Sequence, residues 1–111
     1  MGPTVHSTDP VVPQLAARHV VVTPATELDC SSGPELVCHF VDLVASGPPL
    51  PITIDLSSID FIDAAGMRAL FECRAIADRV GRSVRFVDPS PAVCRLAALF
   101  DDVALLFSGA W

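Results

Sequence analysis

Residues 52–66, ITIDLSSIDFIDAAG, decide the fold of this chain. They open with a β-branched apolar run, which predicts a buried strand over residues 51–56. They close at Asp63, whose carboxylate can accept hydrogen bonds from the free amides at the start of a helix. The helix predicted there carries apolar residues at helical spacing as far as Val80, and Gly81 provides a left-handed end. The stretch therefore predicts strand, loop and helix in that order.

The same alternation continues on both sides of this stretch. Upstream, residues 19–23 (HVVVT) predict a strand. A helix follows, with Ser32 as N-cap and Glu35 completing a capping box, and its apolar face carries Leu36, Val37, Phe40, Val41 and Val44. Downstream, residues 83–87 (SVRFV) predict a third strand, and Ser90 with Pro91 begins a third helix that Asp101 ends. Residues 103–107 predict a short strand or a turn of helix.

Strands and helices that alternate at short intervals predict an α/β fold. We expect one domain over residues 18–111, with a central mixed, mostly parallel β-sheet flanked by about three to four α-helices. Pro3, Pro10 and Pro13 predict an irregular N-terminal tail over residues 1–17, with a short edge strand near residues 11–15. Ligands and partners of such folds meet the loops at the carboxyl ends of the strands.

Composition narrows the range of functions. The 111 residues include thirteen acidic and seven basic side chains, so the net charge is −6, and every basic residue is Arg. A chain with no basic run offers little to a phosphate backbone, so we expect no nucleic-acid partner. The sequence contains no run of 18 apolar residues and no basic, apolar leader over residues 1–17, which predicts a cytoplasmic protein without membrane insertion.

A search for catalytic and metal-binding patterns finds none. The chain has no glycine-rich phosphate loop, no G-x-S-x-G motif, no C-x-x-C pair and no His at zinc-ligand spacing. We therefore expect a non-enzymatic binding domain without cofactor or metal. Two interpretations of the cysteines stay open. Cys38, Cys73 and Cys94 are small core residues on helices, or a regulatory disulfide joins two of the four cysteines, Cys30, Cys38, Cys73 and Cys94.

Residues 52–66 resemble the signature of STAS domains, in which a strand ends in a D-L-S-like turn before a D-S-S-G or D-S-T-G motif. A second landmark of that family, G-E-L-D followed by P-E-L, is similar to residues 26–29 and 34–36, with Thr26 where glycine is usual. Residues 87–91 (VDPSP) look like the family's segment before its third helix. The resemblance covers roughly residues 18–107.

The resemblance implies a binding function. Stand-alone members include anti-sigma factor antagonists, which bind an anti-sigma factor, usually a serine-kinase-like protein, and so release its sigma factor. It implies that the contact surface surrounds the motif and the start of the following helix, with these residues: Asp29, Asp63, Ala64, Ala65, Gly66 and Met67. From the residues alone, Gly66 serves either close approach of a partner or tight helix–strand packing, and Met67 either adaptable contact or core.

This chain departs from the family at the serine that the kinase phosphorylates. Ala64 and Ala65 replace both hydroxyl residues, and alanine has no oxygen to accept a phosphoryl group. Either the protein is a permanently active antagonist, or a signal other than phosphate controls it. Thiol redox chemistry at the four cysteines is the natural candidate for that signal.

A second function fits the same resemblance. Some STAS domains are regulatory subunits that bind the ATPase of a phospholipid-transport ABC system, and these need no phosphorylatable serine. Genes for a kinase-like anti-sigma factor beside this one would favour the first function, and genes for a transport ATPase or permease the second. The sequence leaves the oligomeric state open.

Overall fold

The computed structural model describes residues 14–16, as backbone only, and residues 18–100. In chain order the strands are β1 (Gln14–Ala16), β2 (His19–Val22), β3 (Glu27–Leu28), β4 (Ile52–Asp55), β5 (Phe61–Ile62) and β6 (Val84–Val87). The helices of this part of the chain are α1 (Ser32–Ser46), α2 (Ala64–Val80) and α3 (Pro91–Ala97). The single α/β domain with a mostly parallel sheet and three helices confirms the predicted fold class.

The main sheet has the strand order β1-β2-β4-β6. β1 is antiparallel to β2, whereas β2–β4 and β4–β6 are parallel, with Val20 opposite Ile52 and Ile52 opposite Val84. Both parallel crossovers step across the sheet in the same direction. Because such crossovers are right-handed, they place α1 and α2 on one face of the sheet, where the two helices pack against each other.

A second sheet of two strands was not predicted. β3 and β5 pair in parallel, with Glu27 opposite Phe61 and Leu28 opposite Ile62. Two residues carry too little periodicity to be recognised as a strand, so only the tertiary structure reveals this pairing. Each strand leads directly into a helix, β3 into α1 and β5 into α2, which brings the two helix starts to the same end of the domain.

The core lies between the main sheet and the helices. The strands, the helices and the loop before β5 contribute large, fully buried side chains to it, and these include Val22, Leu36, Phe40, Ile54, Ile59, Met67 and Leu70. Most residues of the predicted apolar faces are buried or half-buried. Val41, in the interior of α1, and Val80, the last residue of α2, are predicted on these faces and are exposed instead.

The start of α1 corrects the predicted capping box. Ser31, not Ser32, is the N-cap, and its side chain makes no cap hydrogen bond. Ser32 is the first residue of α1, and its hydroxyl oxygen accepts from the Asp29 amide at 3.0 Å rather than from an amide of the helix. The starts of the other helices confirm the predictions, since Asp63 accepts from the Gly66 amide and Ser90 from the Val93 amide. Gly81 ends α2 in the left-handed conformation, as predicted.

The ends of the chain differ from expectation in part. The predicted edge strand near residues 11–15 lies at Gln14–Ala16 and pairs with β2, so these residues of the predicted irregular tail belong to the sheet. The helix predicted to run to Asp101 ends at Ala97. The predicted element at residues 103–107 and the remainder of the tail lie outside the described residues. The domain boundary at residue 18 stays a prediction.

Candidate partner-binding site

Two matching strand–turn–helix units build the candidate site. In each, a short strand ends in an apolar residue followed by an aspartate: Leu28 before Asp29, and Ile62 before Asp63. Since the two strands pair in register, the next position along both is occupied by aspartate. The amide of Asp63 donates to the Leu28 carbonyl at 3.3 Å, which fixes the start of α2 beside the turn that enters α1.

Asp63 acts as the N-cap of α2. Its backbone is extended, and its carboxylate accepts a hydrogen bond from the Gly66 amide at 2.9 Å. The Asp63 carboxylate therefore caps the first turn of α2, which begins at Ala64. Ala64 is exposed and Ala65 is half-buried, so the helix start presents a small, uncharged surface.

Asp29 holds the corresponding turn before α1. One carboxylate oxygen accepts hydrogen bonds from the Ser31 amide at 3.0 Å, the Ser32 amide at 3.1 Å and the Ser31 hydroxyl at 2.8 Å. The hydrogen bond from the Ser32 amide, followed by those from Ser31, lowers the pKa of Asp29 to about 2. The carboxylate is thus ionised near neutral pH and locks the turn that carries Cys30.

Gly66 sits where the two units touch. A Cβ at this position would lie 2.1 Å from the Leu28 carbonyl oxygen, which belongs to backbone and cannot rotate away. Of the two functions left open for Gly66, tight helix–strand packing is the one that this geometry supports. Glycine is needed here so that α2 can approach the end of β3.

The structure divides the six predicted contact residues into two groups. Asp29, Asp63, Ala64 and Ala65 reach the surface at the paired helix starts. Gly66 and Met67 do not: both are buried, and Met67 has 0% of its surface exposed. Their assignment to the contact surface is corrected, because the first turn of α2 directs them into the core beneath Ala64.

A groove between α1 and α2 opens next to this surface, and sequence reasoning missed it. Its volume is about 390 Å³, and its walls are formed by Cys30, Gly33, Pro34, Val37, Cys38, Ala65, Arg68, Ala69 and Glu72. The small residues where the helices are closest, Gly33 and Ala69, were the available signal. Only the packing of the two helices shows that they face each other.

The cysteines separate into three environments. Cys73 is buried in the core, where desolvation, assisted by the Glu72 carboxylate, raises the pKa of its thiol to about 12. Cys30, Cys38 and Cys94 are exposed free thiols, so the interpretation of Cys38 and Cys94 as core residues is wrong. Cys30 and Cys38 line the groove, whereas the Cys94 thiol faces the Pro89 carbonyl at 3.8 Å.

Nowhere in residues 18–100 do three or more His, Cys, Asp or Glu side chains gather as a metal ion would require. None of the three described helices has both the length and the apolar character to cross a membrane.

The starts of α1 and α2 thus lie side by side at one end of a single α/β domain. The profile of the STAS domain family matches residues 10–108, and the chain belongs to that family. A search of curated proteins finds no match to the sequence.

Solved structures share the fold at low sequence identity. The murine Solute Carrier 26 family member A9 (Slc26a9) anion transporter in the inward-facing state matches with a TM-score of 0.64 and 18% identity, over 79% of this chain. The anti-sigma factor antagonist SpoIIAA in its unphosphorylated form matches with a TM-score of 0.61 and 16% identity, over 83% of this chain. The alignments span 14% of the transporter chain and 82% of the SpoIIAA chain.

Proposed function

We propose that this protein is a non-enzymatic, cytoplasmic anti-sigma factor antagonist. It binds an anti-sigma factor of the serine-kinase-like type through the paired helix starts and so releases the sigma factor. The contact surface consists of Asp29, Asp63, Ala64 and Ala65. One observation carries the proposal: the motif over residues 52–66 forms a strand, a turn and a capped helix start, and the helix start exposes an uncharged Ala64.

The alanines define how this antagonist is controlled. A phosphate in this position would add about −1.5 to −2 charges at the start of a helix, within the surface that meets the partner. Neither Ala64 nor Ala65 can receive that phosphate. The protein therefore stays in the binding-competent state unless another signal acts, and we propose thiol chemistry as that signal.

The experiment measures how a charge at Ala64 affects binding. Affinity capture from the native bacterium, with mass spectrometry, first identifies the anti-sigma factor. We expect Ala64→Glu to weaken binding of that purified protein about tenfold or more, because the charge must be desolvated at the interface. The variant keeps its fold, since a carboxylate is favourable in the first turn of a helix.

A matched control uses Ala75→Glu. Ala75 is exposed on the same helix, about three turns from Ala64, so the same charge is added away from the proposed surface. We expect binding within about twofold of the unmodified chain. If both variants bind as the unmodified protein does, or both lose binding equally, the proposed surface is wrong.

A second candidate function is a regulatory subunit for the ATPase of a phospholipid-transport ABC system. The observation in its favour is the same Ala64, because a STAS domain in that role needs no phosphorylatable serine. Capture of a transport ATPase in place of an anti-sigma factor would establish this function and overturn the first. The family assignment would be unaffected.

A further inference from the structure

Two exposed thiols share one groove beside the proposed contact surface. Cys30 lies in the turn held by Asp29, Cys38 lies on α1, and both line the groove between α1 and α2. Ala65, at the start of α2, forms part of the same wall. The groove volume of about 390 Å³ falls within the roughly 300–1,000 Å³ typical of small-molecule sites.

These two thiols cannot bond to each other in the folded protein. The Gly33 amide donates to the Asp29 carbonyl at 2.7 Å, so the helical winding of α1 extends back over Cys30, and the eight residues from Cys30 to Cys38 rise about 12 Å at roughly 1.5 Å per residue. A disulfide needs Cα atoms less than about 7 Å apart. A disulfide formed in this groove by the folded domain must therefore join one thiol to a separate molecule.

Charged side chains on α2 define which molecule fits. Arg68 and Glu72 stand one helical turn apart on the groove wall. Within the part of the chain that the structure describes, neither forms an ion pair or a side-chain hydrogen bond. Together they present one positive and one negative group, which complement the carboxylate and the ammonium of an amino acid.

We propose that the α1–α2 groove is a modification site at which Cys30 or Cys38 forms a mixed disulfide with a zwitterionic, amino-acid-derived thiol. The thiolate attacks one sulfur of a low-molecular-weight disulfide, R–S–S–R. A protein–S–S–R bond forms, the original S–S bond breaks, and R–S⁻ leaves with its electron pair. The proton of the attacking thiol passes to water.

The other two cysteines do not compete for this reaction. Cys73 is buried, and its raised pKa leaves almost no thiolate near neutral pH. Cys94 is exposed, but it lies on α3 outside the groove, and no paired charges of the groove surround it.

The adduct takes over the role of the missing phosphate, which is to block binding of the partner. This step rests on the proposed function. It adds bulk and polar groups against Ala65, next to the exposed Ala64. A partner that packs closely on the paired helix starts would have to displace it. The modification therefore switches binding off, and a thiol reductant restores it.

The first test compares three probes: cystine, which is zwitterionic; cystamine, which is dicationic; and 3,3′-dithiodipropionate, which is dianionic. The rate of adduct formation at each cysteine is measured by peptide mass spectrometry and divided by the rate in the urea-unfolded chain, so that the probes' intrinsic reactivities cancel. We expect cystine to modify Cys30 or Cys38 about threefold or more faster than either other probe, as two weak ion pairs would produce. Since the groove is small, we expect one adduct per groove.

Two sets of variants test whether the faster modification by cystine depends on the groove. Arg68→Ala with Glu72→Ala abolishes the advantage of cystine, whereas Arg79→Ala, at an exposed position in the last turn of the same helix, keeps it. Cys30→Ser with Cys38→Ser removes the adduct, and Cys94→Ser does not. Modification mainly at Cys94, or an advantage of cystine that survives loss of Arg68 and Glu72, would overturn the proposed site.

The second test measures binding of the captured anti-sigma factor to the reduced and the cystine-modified protein. We expect at least about tenfold weaker binding after modification, recovered on reduction. If the reduced protein does not bind, the proposed function fails while the adduct site stands. If the reduced protein binds and the adduct leaves affinity unchanged, the groove does not control binding.

Discussion

At the scale of single residues, Gly66 determines how closely the two helix-starting units approach. The absent side chain leaves room for the Leu28 carbonyl, and that same carbonyl accepts the amide of Asp63. Any larger residue would push the start of α2 away from β3. The position of Ala64 and Ala65 at the surface therefore depends on a residue that no partner can touch.

We expect Gly66→Ala to destabilise the protein by about 3 kcal/mol or more, at the upper end of the usual cost of overpacking, because the clash is with backbone. Urea unfolding measures this loss. Gly33→Ala is the matched control, since the nearest atom to its Cβ would be the Ala69 Cβ at 3.2 Å, its nearest backbone contact would be the Ala65 carbonyl oxygen at an ordinary 3.5 Å, and alanine favours the helix. We expect a change within about 1 kcal/mol for the control. Equal losses of unfolding free energy in the two variants would show that β3 moves to accommodate the methyl group added at position 66.

Protonation of Asp29 makes the stability of the protein depend on pH. Its pKa is lower in the folded protein, about 2 against an ordinary value of 3.8, because four hydrogen bonds, from the amides and hydroxyls of Ser32 and Ser31, favour the carboxylate. A lowered folded-state pKa means that its stabilising contribution is complete above about pH 4 and is lost as the pH falls through about 2. Protonation removes the charge that accepts these hydrogen bonds.

We expect Asp29→Asn to be less stable than the unmodified protein at pH 5 and to approach it as the pH falls towards 2, where the unmodified Asp29 also loses its charge. Thermal unfolding at a series of pH values measures the convergence. Asp42→Asn is the control, since Asp42 is exposed on α1 and no hydrogen bond or ion pair of it occurs within the described residues. A constant difference between Asp29→Asn and the unmodified protein at all pH values would contradict the assignment.

At the scale of elements, Arg82 ties the end of α2 to the connection between α1 and β4. Its guanidinium donates to the Leu50 carbonyl at 3.1 Å, the Val44 carbonyl at 3.2 Å and the Pro48 carbonyl. The last carbonyl groups of a helix and the turn after it otherwise need water or a cap. One side chain thus satisfies three carbonyl acceptors and holds the C-terminal ends of α1 and α2 together.

We expect Arg82→Ala to lower the free energy of unfolding by about 1–3 kcal/mol, because it removes charge-assisted hydrogen bonds to three carbonyls. Arg82→Lys recovers only part of this loss, since an ammonium cannot present the planar fork of a guanidinium. Arg79→Ala, a change at an exposed arginine in the last turn of α2, should stay within about 0.5 kcal/mol. Denaturant unfolding compares the three. A loss for Arg79→Ala as large as that for Arg82→Ala would contradict a specific role for the three Arg82 hydrogen bonds.

At the scale of the whole molecule, the fold positions a surface but does not choose its partner. The same architecture occurs in an anion transporter and in SpoIIAA, at 18% and 16% identity to this chain. A shared fold can host unrelated functions, so specificity lies in the residues placed on it. In this protein we propose that those residues are the two aspartate turns, the exposed alanine at the start of α2, and the thiol-lined groove between the helices.

The residues that these tests change lie in separate parts of the molecule. Gly66 and Arg82 stabilise opposite ends of α2, whereas Ala64 and the groove thiols reach solvent near its start. Loss of binding with retained stability therefore reports on the contact surface. Loss of stability reports on the scaffold that holds this surface.

Local sequence accounts for the order of the main elements and for two of the three helix starts. The strands follow from runs of β-branched residues, the start of α2 from Asp63 as a cap, and the end of α2 from Gly81. These features act through local periodicity or backbone conformation, which neighbouring residues fix. Tertiary packing alone sets the β3–β5 pairing, the burial of Gly66 and Met67, the exposure of Cys38 and Cys94, and the groove shared by Cys30 and Cys38. These features depend on which surfaces meet after the chain has crossed the sheet twice, and contacts between residues that are distant in sequence leave little trace in local pattern.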